Sequence, residues 1–359
     1  MSDYFKIKAS TGEYAVQIGR NLSHALQKSD EQVIILCDKF FESDFRVAGN
    51  RVIAIETSET AKSLDQMSAI IVALREFGAN RSTRLLAVGG GVIQDITTFV
   101  ASIYMRGLSW DYFPTTLLGM VDSCVGGKSS INVGDYKNLI GNFYPPRDII
   151  IDLAFVDTLN VEQRAAGLFE AVKICFAQTD NAFNHYLLLQ PDPTSTPDVF
   201  REVVKLSLLT KRWFIETDEH DKNERLLLNF GHTFGHAIEG SCGFVIPHGI
   251  AVGMGILAAL EFSRLETQAE TSPPRVVQLQ QYVNGLLQRM ENLSSWRRQI
   301  VVGDLMKRFA SDKKHTTRHY AVIVPDEHGY LVRRMIEKTD ANCVRILRAF
   351  NVVCGSAPD

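Results

Sequence analysis

Five short apolar runs, each followed by a segment of different periodicity, constrain this chain more than any other feature. They are "QVIILCD", "NRVIAIE", "TRLLAVGGG", "SWDYFPTT" and "RDIIIDL". Runs that are apolar throughout, rather than alternating, read as strands covered on both faces in a parallel sheet. Helical patterns lie between them, as at Lys62 to Gly78 and Ile93 to Tyr104. That alternation predicts a Rossmann-like α/β domain with a parallel sheet. After about Asp157 the strands nearly vanish. From Val161 to Phe309 the pattern is helical, broken by "QPDPTSTP", "VIPHG" and "TSPP", and "HYAVIVPDEHGYLVRR" reads as a short hairpin. At 359 residues two cores are expected. The predicted organisation is a nucleotide-type α/β domain over residues 1–160 and an all-α domain over 161–359, with the crevice between them as the default place for a site.

Composition narrows the function. The apolar fraction is 45% and the charged fraction 22%, as in ordinary globular chains. A net charge of −3 supplies no global basic field to draw the chain to nucleic acid or anionic lipid, so neither is an expected partner. "MSDYFKIKAS" lacks the apolar core of a signal peptide, and the longest apolar run, Ile250 to Leu260, is broken by two glycines and too short to span a bilayer. Six cysteines without CxxC spacing suggest free thiols in a reducing compartment, so a cytoplasmic location is expected.

Several motifs carry chemistry. In "LLAVGGGVIQD", Gly89, Gly90 and Gly91 stand between a strand and a helix, where bare backbone and a helix N-terminus can receive a pyrophosphate. The GxGxxG fingerprint is absent. Asp38, ending "VIILCD", is placed to bind a ribose hydroxyl, and together these features favour NAD. The long segment "PTTLLGMVDSCVGGKSSINVGDYKNLIG" holds Asp122, Lys128, Lys137 and Asn138; Lys128 after Gly126 and Gly127 is suited to a phosphate. "GLFEAVKICF" sets Glu170 and Lys173 three apart among apolar neighbours, and a buried carboxylate needs a partner such as a metal. Lys211, Arg212 and Arg225 gather positive charge ahead of "GHTFGHAIE". His232 and His236 are one helical turn apart, and His248 follows Pro247. A catalytic zinc wants about three protein ligands and an open position, so with Glu170 there is one candidate too many.

"GGGVIQDITTFVASIYMRG", "PTTLLGMVDSCVGGKSSIN…KNLIG", "GLFEAVK" and "LLNFGHTFGHAIE" follow one another in an order and spacing that resemble the 3-dehydroquinate synthase family of sugar phosphate cyclases. The likeness runs from the first strand to "SDKKHTT". It implies a Rossmann-like domain plus an α-helical domain, a homodimer, and dependence on NAD and Zn2+ or Co2+. By motif matching, the metal ligands are Glu170, His232 and His248, with His236 a substrate contact rather than the ligand its spacing suggests. Phosphate contacts are Lys128, Asn138, His236, Arg106 (reaching across the dimer) and either Lys313 or Lys314. Lys211 and Arg225 meet the substrate carboxylate; Asp122, Lys173 and Asn229 meet hydroxyls. By the same resemblance NAD would be held by Asp38, Glu59, Lys62, Gly89, Gly90, Gly91, Asp95, Thr115, Thr116, Lys137, Phe155, Thr158 and Leu159.

The reaction so implied converts 3-deoxy-D-arabino-heptulosonate 7-phosphate by alcohol oxidation, phosphate elimination, reduction, ring opening and aldol closure. The departing phosphate dianion asks for a cationic cage, which Lys128, Arg106 and a tail lysine would provide. Two departures stand out: Gln94 replaces a family glycine, and "KSSINVGDYKN" lacks the usual Pro-x-Gly. They bring in specialised relatives acting on sedoheptulose 7-phosphate or an amino-substituted sugar. Metal-dependent polyol dehydrogenases, which share a related fold, need no phosphate cage.

Overall fold

The computed structural model describes residues 2–22, 32–134, 136–178 and 180–354. Its chain divides into two compact units, residues 1–159 with 196–220, and residues 160–195 with 221–359.

The first unit is built on a seven-stranded sheet. Its strands are β1 (Asp3–Ala9), β2 (Gly12–Gly19), β3 (Val33–Asp38), β4 (Arg51–Ile55), β5 (Arg84–Gly89), β6 (Trp110–Pro114) and β9 (Asp148–Asp152); β7 (Ile131–Val133) and β8 (Tyr136–Ile140) form a separate small hairpin. The order is β1-β2-β9-β6-β5-β3-β4. All neighbours pair in parallel except β1 and β2. The five apolar runs are these parallel strands, and β5 and β6 are buried along almost their whole length. One cluster of core residues, Ile35, Cys37, Phe41, Val52, Leu86, Val88 and Phe113, comes from four strands and the turn after β3. The chain moves outward from β3 to β4, then returns to lay β5 on the other side of β3. Between β3 and β5 lies the switch point, where ligands of such sheets bind beyond the strand C-termini.

Helices α1 (Glu42–Val47), α2 (Leu64–Glu76) and α3 (Gly91–Ile103) fill the crossovers. The second unit is helical: α4 (Val161–Gln178), α5 (Asp180–Leu189), α7 (His232–Ser241), α8 (His248–Thr267), α9 (Pro274–Gln288), α10 (Leu293–Gln299), α11 (Val302–Ala310) and α12 (Asp340–Cys354). It also carries the antiparallel hairpin of β10 (His319–Pro325) and β11 (Leu331–Glu337). So this unit is not all-α, although the hairpin falls where "HYAVIVPDEHGYLVRR" predicts it.

A single boundary near residue 160 is corrected at one helix. The helix α6 (Pro197–Thr217) belongs to the first unit. Its buried stripe of Phe200, Val203, Val204, Leu208, Phe214 and Ile215 packs on that unit, and Arg201 and Lys205 both pair with Asp3 of β1. Helical periodicity shows that a helix has an apolar face but not which core that face covers.

In the second unit α8 is buried nearly all round, and its glycines let two helices come close. A Cβ on Gly249 would stand 2.3 Å from the Ala166 carbonyl, and one on Gly253 would strike the Phe169 ring at 2.6 Å. One on Gly255 would lie 2.1 Å from the Gly231 carbonyl and 2.5 Å from the Gly235 amide. Gly255→Ala is therefore expected to destabilise the protein by about 3 kcal/mol, because the opposing atoms are backbone and cannot yield. Gly285→Ala on α9, where a Cβ meets nothing within 4 Å, should instead stabilise by about 0.5–1 kcal/mol. Denaturant titration of both variants checks this, and equal effects would count against the packing account.

Candidate active site

The C-terminal ends of the parallel strands in the first unit collect the residues expected to hold a dinucleotide. Asp38 closes β3; its Oδ1 accepts from the Phe40 amide (3.0 Å) and its Oδ2 from the Thr57 hydroxyl (2.7 Å), so the carboxylate is oriented from two sides. Across the switch point, β5 ends at Gly89 and α3 begins at Gly91. A Cβ at Gly89 would lie 2.5 Å from Ile93, and one at Gly90 would lie 2.9 Å from the Thr116 methyl, whereas at Gly91 it would meet nothing within 4 Å. Two of the glycines thus serve packing, and the third leaves the helix N-terminus bare. No side chain caps α3 and no acidic residue sits in its first turn, so nothing of the helix's own competes for an anion at that end. The Thr115 amide donates to the Gly89 carbonyl (3.0 Å) and keeps this loop against the end of β6.

Beside the glycine loop runs a polar network. The Lys62 ammonium pairs with Asp95 (2.8 Å), approaches Glu59 (3.8 Å) and donates to Asn138 Oδ1 (3.0 Å). Lys137 lies 3.7 Å from Glu59. Burial pushes the Asp95 carboxyl upward against the pull of Lys62. Asn138, expected on a phosphate, thus stands in the same network as the expected cofactor residues. Sequence reasoning missed Asn132, which donates to the Glu59 carboxylate (2.9 Å) and accepts from the Asn138 amide (2.8 Å). Its only sequence signal is a polar residue between Ile131 and Val133. The departing "KSSINVGDYKN" segment contributes to the β7–β8 hairpin, and its Ser130 amide donates to Asp95 (3.1 Å). Asp135 of that segment lies outside the described residues.

Phe155 packs edge-on against Phe41, the Thr158 hydroxyl donates to the Phe155 carbonyl (2.7 Å), and Leu159 is buried. Lys211, on α6, is buried; its ammonium pairs with the Asp122 carboxylate and donates to the Asp122 carbonyl (2.5 Å). Lys128 follows two glycines with positive φ and approaches the Phe143 ring, 5.8 Å from its centroid. Arg106 is exposed on a turn where Met105 (φ 49°) and Arg106 (φ 70°) are both left-handed. Two such non-glycine residues in succession store strain, of the kind that accompanies functional loops.

The second unit assembles a cage from three helices. Glu170 on α4 is buried beside Lys173, whose ammonium is 2.6 Å from Oε2. Its other oxygen, Oε1, lies 3.7 Å from His232 Nε2 and 3.4 Å from His248 Nε2. Burial works against the Glu170 anion, but Lys173 and His248 outweigh it and hold the carboxyl well below the usual range. His232 faces the Phe230 carbonyl through Nδ1 (3.3 Å), and burial next to Lys173 holds the ring neutral. His248 Nδ1 meets Glu239 Oε2 (3.2 Å), a carboxylate that fixes the ring so that Nε2 points at Glu170. Sequence reasoning passed over Glu239, although it lies on the same helix as His232, two turns on. His236 is exposed, and a ring nitrogen of it lies within 4.8 Å of those of His232 and His248. The i,i+4 pair is therefore together in space even though motif matching gives its members different duties. Buried Arg225 and part-buried Asn229 come from the 3-10 turn Glu224–Asn229 just before α7. Of the tail lysines, Lys314 pairs with Asp312 (2.7 Å), and its charge bears on His232 and His236.

Nitrogen and carboxylate donors at these separations, with a buried carboxylate oxygen aimed between two imidazoles, fit a borderline divalent ion such as zinc or cobalt. Glu170, His232 and His248 can hold it, and His236, with a ring nitrogen within 4.8 Å of those of the other two histidines, is also within reach.

A parallel nucleotide-type sheet followed by a helical unit is a fold already known from solved structures. The match to 2-deoxy-scyllo-inosose synthase, solved with carbaglucose-6-phosphate, NAD+ and Co2+, has a TM-score of 0.85 at 21% identity and covers 98% of this chain and all of that one, which shows the fold. Sequence models of the 3-dehydroquinate synthase N-terminal and C-terminal domains match residues 52–166 and 167–315. The 3-dehydroquinate synthase of Dictyoglomus thermophilum is 39% identical over 61% of this chain and 62% of its own length; that of Dictyoglomus turgidum is 38% identical over 69% and 72%. The chain belongs to the 3-dehydroquinate synthase family.

Between Glu239 and Glu170, His248 is raised to about 10 despite its burial, so it carries a proton at neutral pH in the metal-free cage. A divalent ion must displace that proton. Zinc affinity should therefore strengthen as pH rises from about 6 to about 8, with proton release near neutral pH. Calorimetry in buffers of different ionisation enthalpy measures this; heats independent of buffer would refute it.

Proposed function

We propose that the protein converts 3-deoxy-D-arabino-heptulosonate 7-phosphate to 3-dehydroquinate and inorganic phosphate, with NAD and a divalent ion, zinc or cobalt, as resident cofactors. The observation that carries this reading is the Glu170–His232–His248 cage, with Lys173 and Glu239 behind it, in a chain of this family. A bound metal supplies a Lewis acid for an alcohol oxygen, and NAD supplies a reversible hydride acceptor.

The remaining work falls to the chain. Lys173 keeps Glu170 ionised and in place; Glu239 keeps His248 in the ligating orientation. Arg225 and Lys211 orient the substrate carboxylate, which prevents misdirected ring closure. Asp122 and Asn229 meet hydroxyls. The phosphate leaves as a dianion, and Lys128, His236 and Lys314 receive it, with Arg106 serving the phosphate bound by a second copy. Exposed Ile103 and Met105, beside Arg106 in the chain, are compatible with a homodimer. No helix among the described residues is long and apolar enough to cross a membrane, and the enzyme is proposed to act in the cytoplasm.

The deciding experiment measures phosphate release from the heptulosonate phosphate, with the product identified by a dehydroquinase. Sedoheptulose 7-phosphate, which lacks the carboxylate, runs in parallel. Release from the first sugar alone is expected; release from the second alone would assign the chain to a specialised relative. In the same assay Lys314→Ala should lower kcat/KM by on the order of a hundredfold, as for loss of a charged transition-state contact. Lys313→Ala should stay within about threefold of wild type, as for a change away from the site. A reversed ranking would reassign the tail lysine.

A further inference from the structure

We infer that Gln94 is a positioning residue for the Asp122–Lys211 pair: it clamps the wide turn that carries Asp122 onto the helix that opens at the glycine loop. The inference deepens the proposed function, and its kinetic arm rests on that reading.

Gln94 is only 3% exposed although it sits on the first turn of α3. Its amide makes a reciprocal pair of bonds with one residue: Nε2 donates to the Ser123 carbonyl (2.7 Å), and the Ser123 hydroxyl donates to Oε1 (2.6 Å). Ser123 ends a five-residue π-type turn, Gly119–Ser123, closed by the Cys124 amide donating to the Gly119 carbonyl at 3.1 Å. Such wide turns are uncommon and recur at functional sites.

The turn is pinned from three directions. At its start the Gly119 amide donates to the Thr116 hydroxyl (3.1 Å). On the α6 side the Ser207 hydroxyl donates to the Val121 carbonyl (2.9 Å), and Lys211 grips both the carbonyl and the carboxylate of Asp122. Gln94 holds the third side through Ser123. Asp122 therefore lies between a residue tied to α6 and a residue tied to α3, and its direction depends on both. Both polar atoms of the Gln94 amide are taken up by Ser123, so it acts through that neighbour.

A glycine at position 94, as the family resemblance would place there, makes neither bond. It would take this partner from the part-buried Ser123 hydroxyl and carbonyl, at the cost of two hydrogen bonds to the turn. The glutamine is thus part of how this chain holds Asp122.

The test uses Gln94→Met, which keeps the length and removes both bonds, and Ser123→Ala, which removes one. In protein with 13C-labelled lysine, the Lys211 ε-methylene signal is assigned through Lys211→Arg. Both variants are expected to move that signal. Gln94→Met should also lower kcat/KM for the heptulosonate phosphate about tenfold, the scale of one buried hydrogen bond, and that loss should largely vanish in an Asp122→Asn background. A Lys211 signal unmoved in both variants, or the same tenfold loss in the Asp122→Asn background, overturns the inference; the latter marks a merely structural residue. Should Gln94→Met fail to fold, Ser123→Ala carries the measurement. Wild-type protein inactive on this sugar would overturn the proposed function, and the lysine signal would still decide the role of Gln94.

Discussion

Three helices reach the imidazole–carboxylate cage because glycines on α8 let them come close. Gly249 and Gly253 bring α8 onto α4, which carries Glu170; Gly255 brings it onto α7, which carries His232 and His236. Helix axes separated by ordinary side chains lie 8–10 Å apart. At such separations with a larger residue between them, Glu170 could not stand 3.4 Å from His248. The same close approach excludes water from Glu170 and so makes the Lys173 pairing necessary, because an isolated buried carboxylate would give up its charge. Packing and electrostatics are here one constraint. The glycines that fit no ligand determine what the ligands can do.

The first unit follows a different rule. Its polar groups sit at strand ends, where the chain leaves the sheet and the backbone is free to turn. The reversal of strand order between β3 and β5 opens room there, and Asp38 and the glycine loop flank it. The Glu59–Lys62–Asp95 network, tied down by Asn132 and Asn138, closes one side. These groups balance one another's charge while leaving the N-terminus of α3 uncapped. An anion arriving there meets oriented amides and no competing carboxylate in the first helical turn.

Much of this was legible before any coordinates. Apolar runs without alternation identify strands of a two-sided parallel sheet, and all five did so because burial on both faces removes the period-two signal. The antiparallel pair β1–β2 was not read, since β1 alternates exposed and covered positions over a segment with lysines. The residues of the cage were legible as types. Spacing alone put His236 with His232, and the structure brings the ring nitrogens of His232, His236 and His248 within 4.8 Å of one another. Glu239 and Asn132 escaped because each acts on a neighbour distant in sequence, and no local pattern records that. Gln94 was visible as a departure, but only its partner Ser123, 29 residues on, shows what it is for.

The sequence by itself determined the elements, the donor chemistry and the family, because periodicity, glycine placement and residue type are local properties written along the chain. Tertiary structure alone decided that α6 joins the sheet unit and that Glu170 faces His232 and His248 together. Each of those outcomes is a distance between groups far apart in sequence. Such distances are fixed by how closely backbones can pack, which the order of residues implies but does not display.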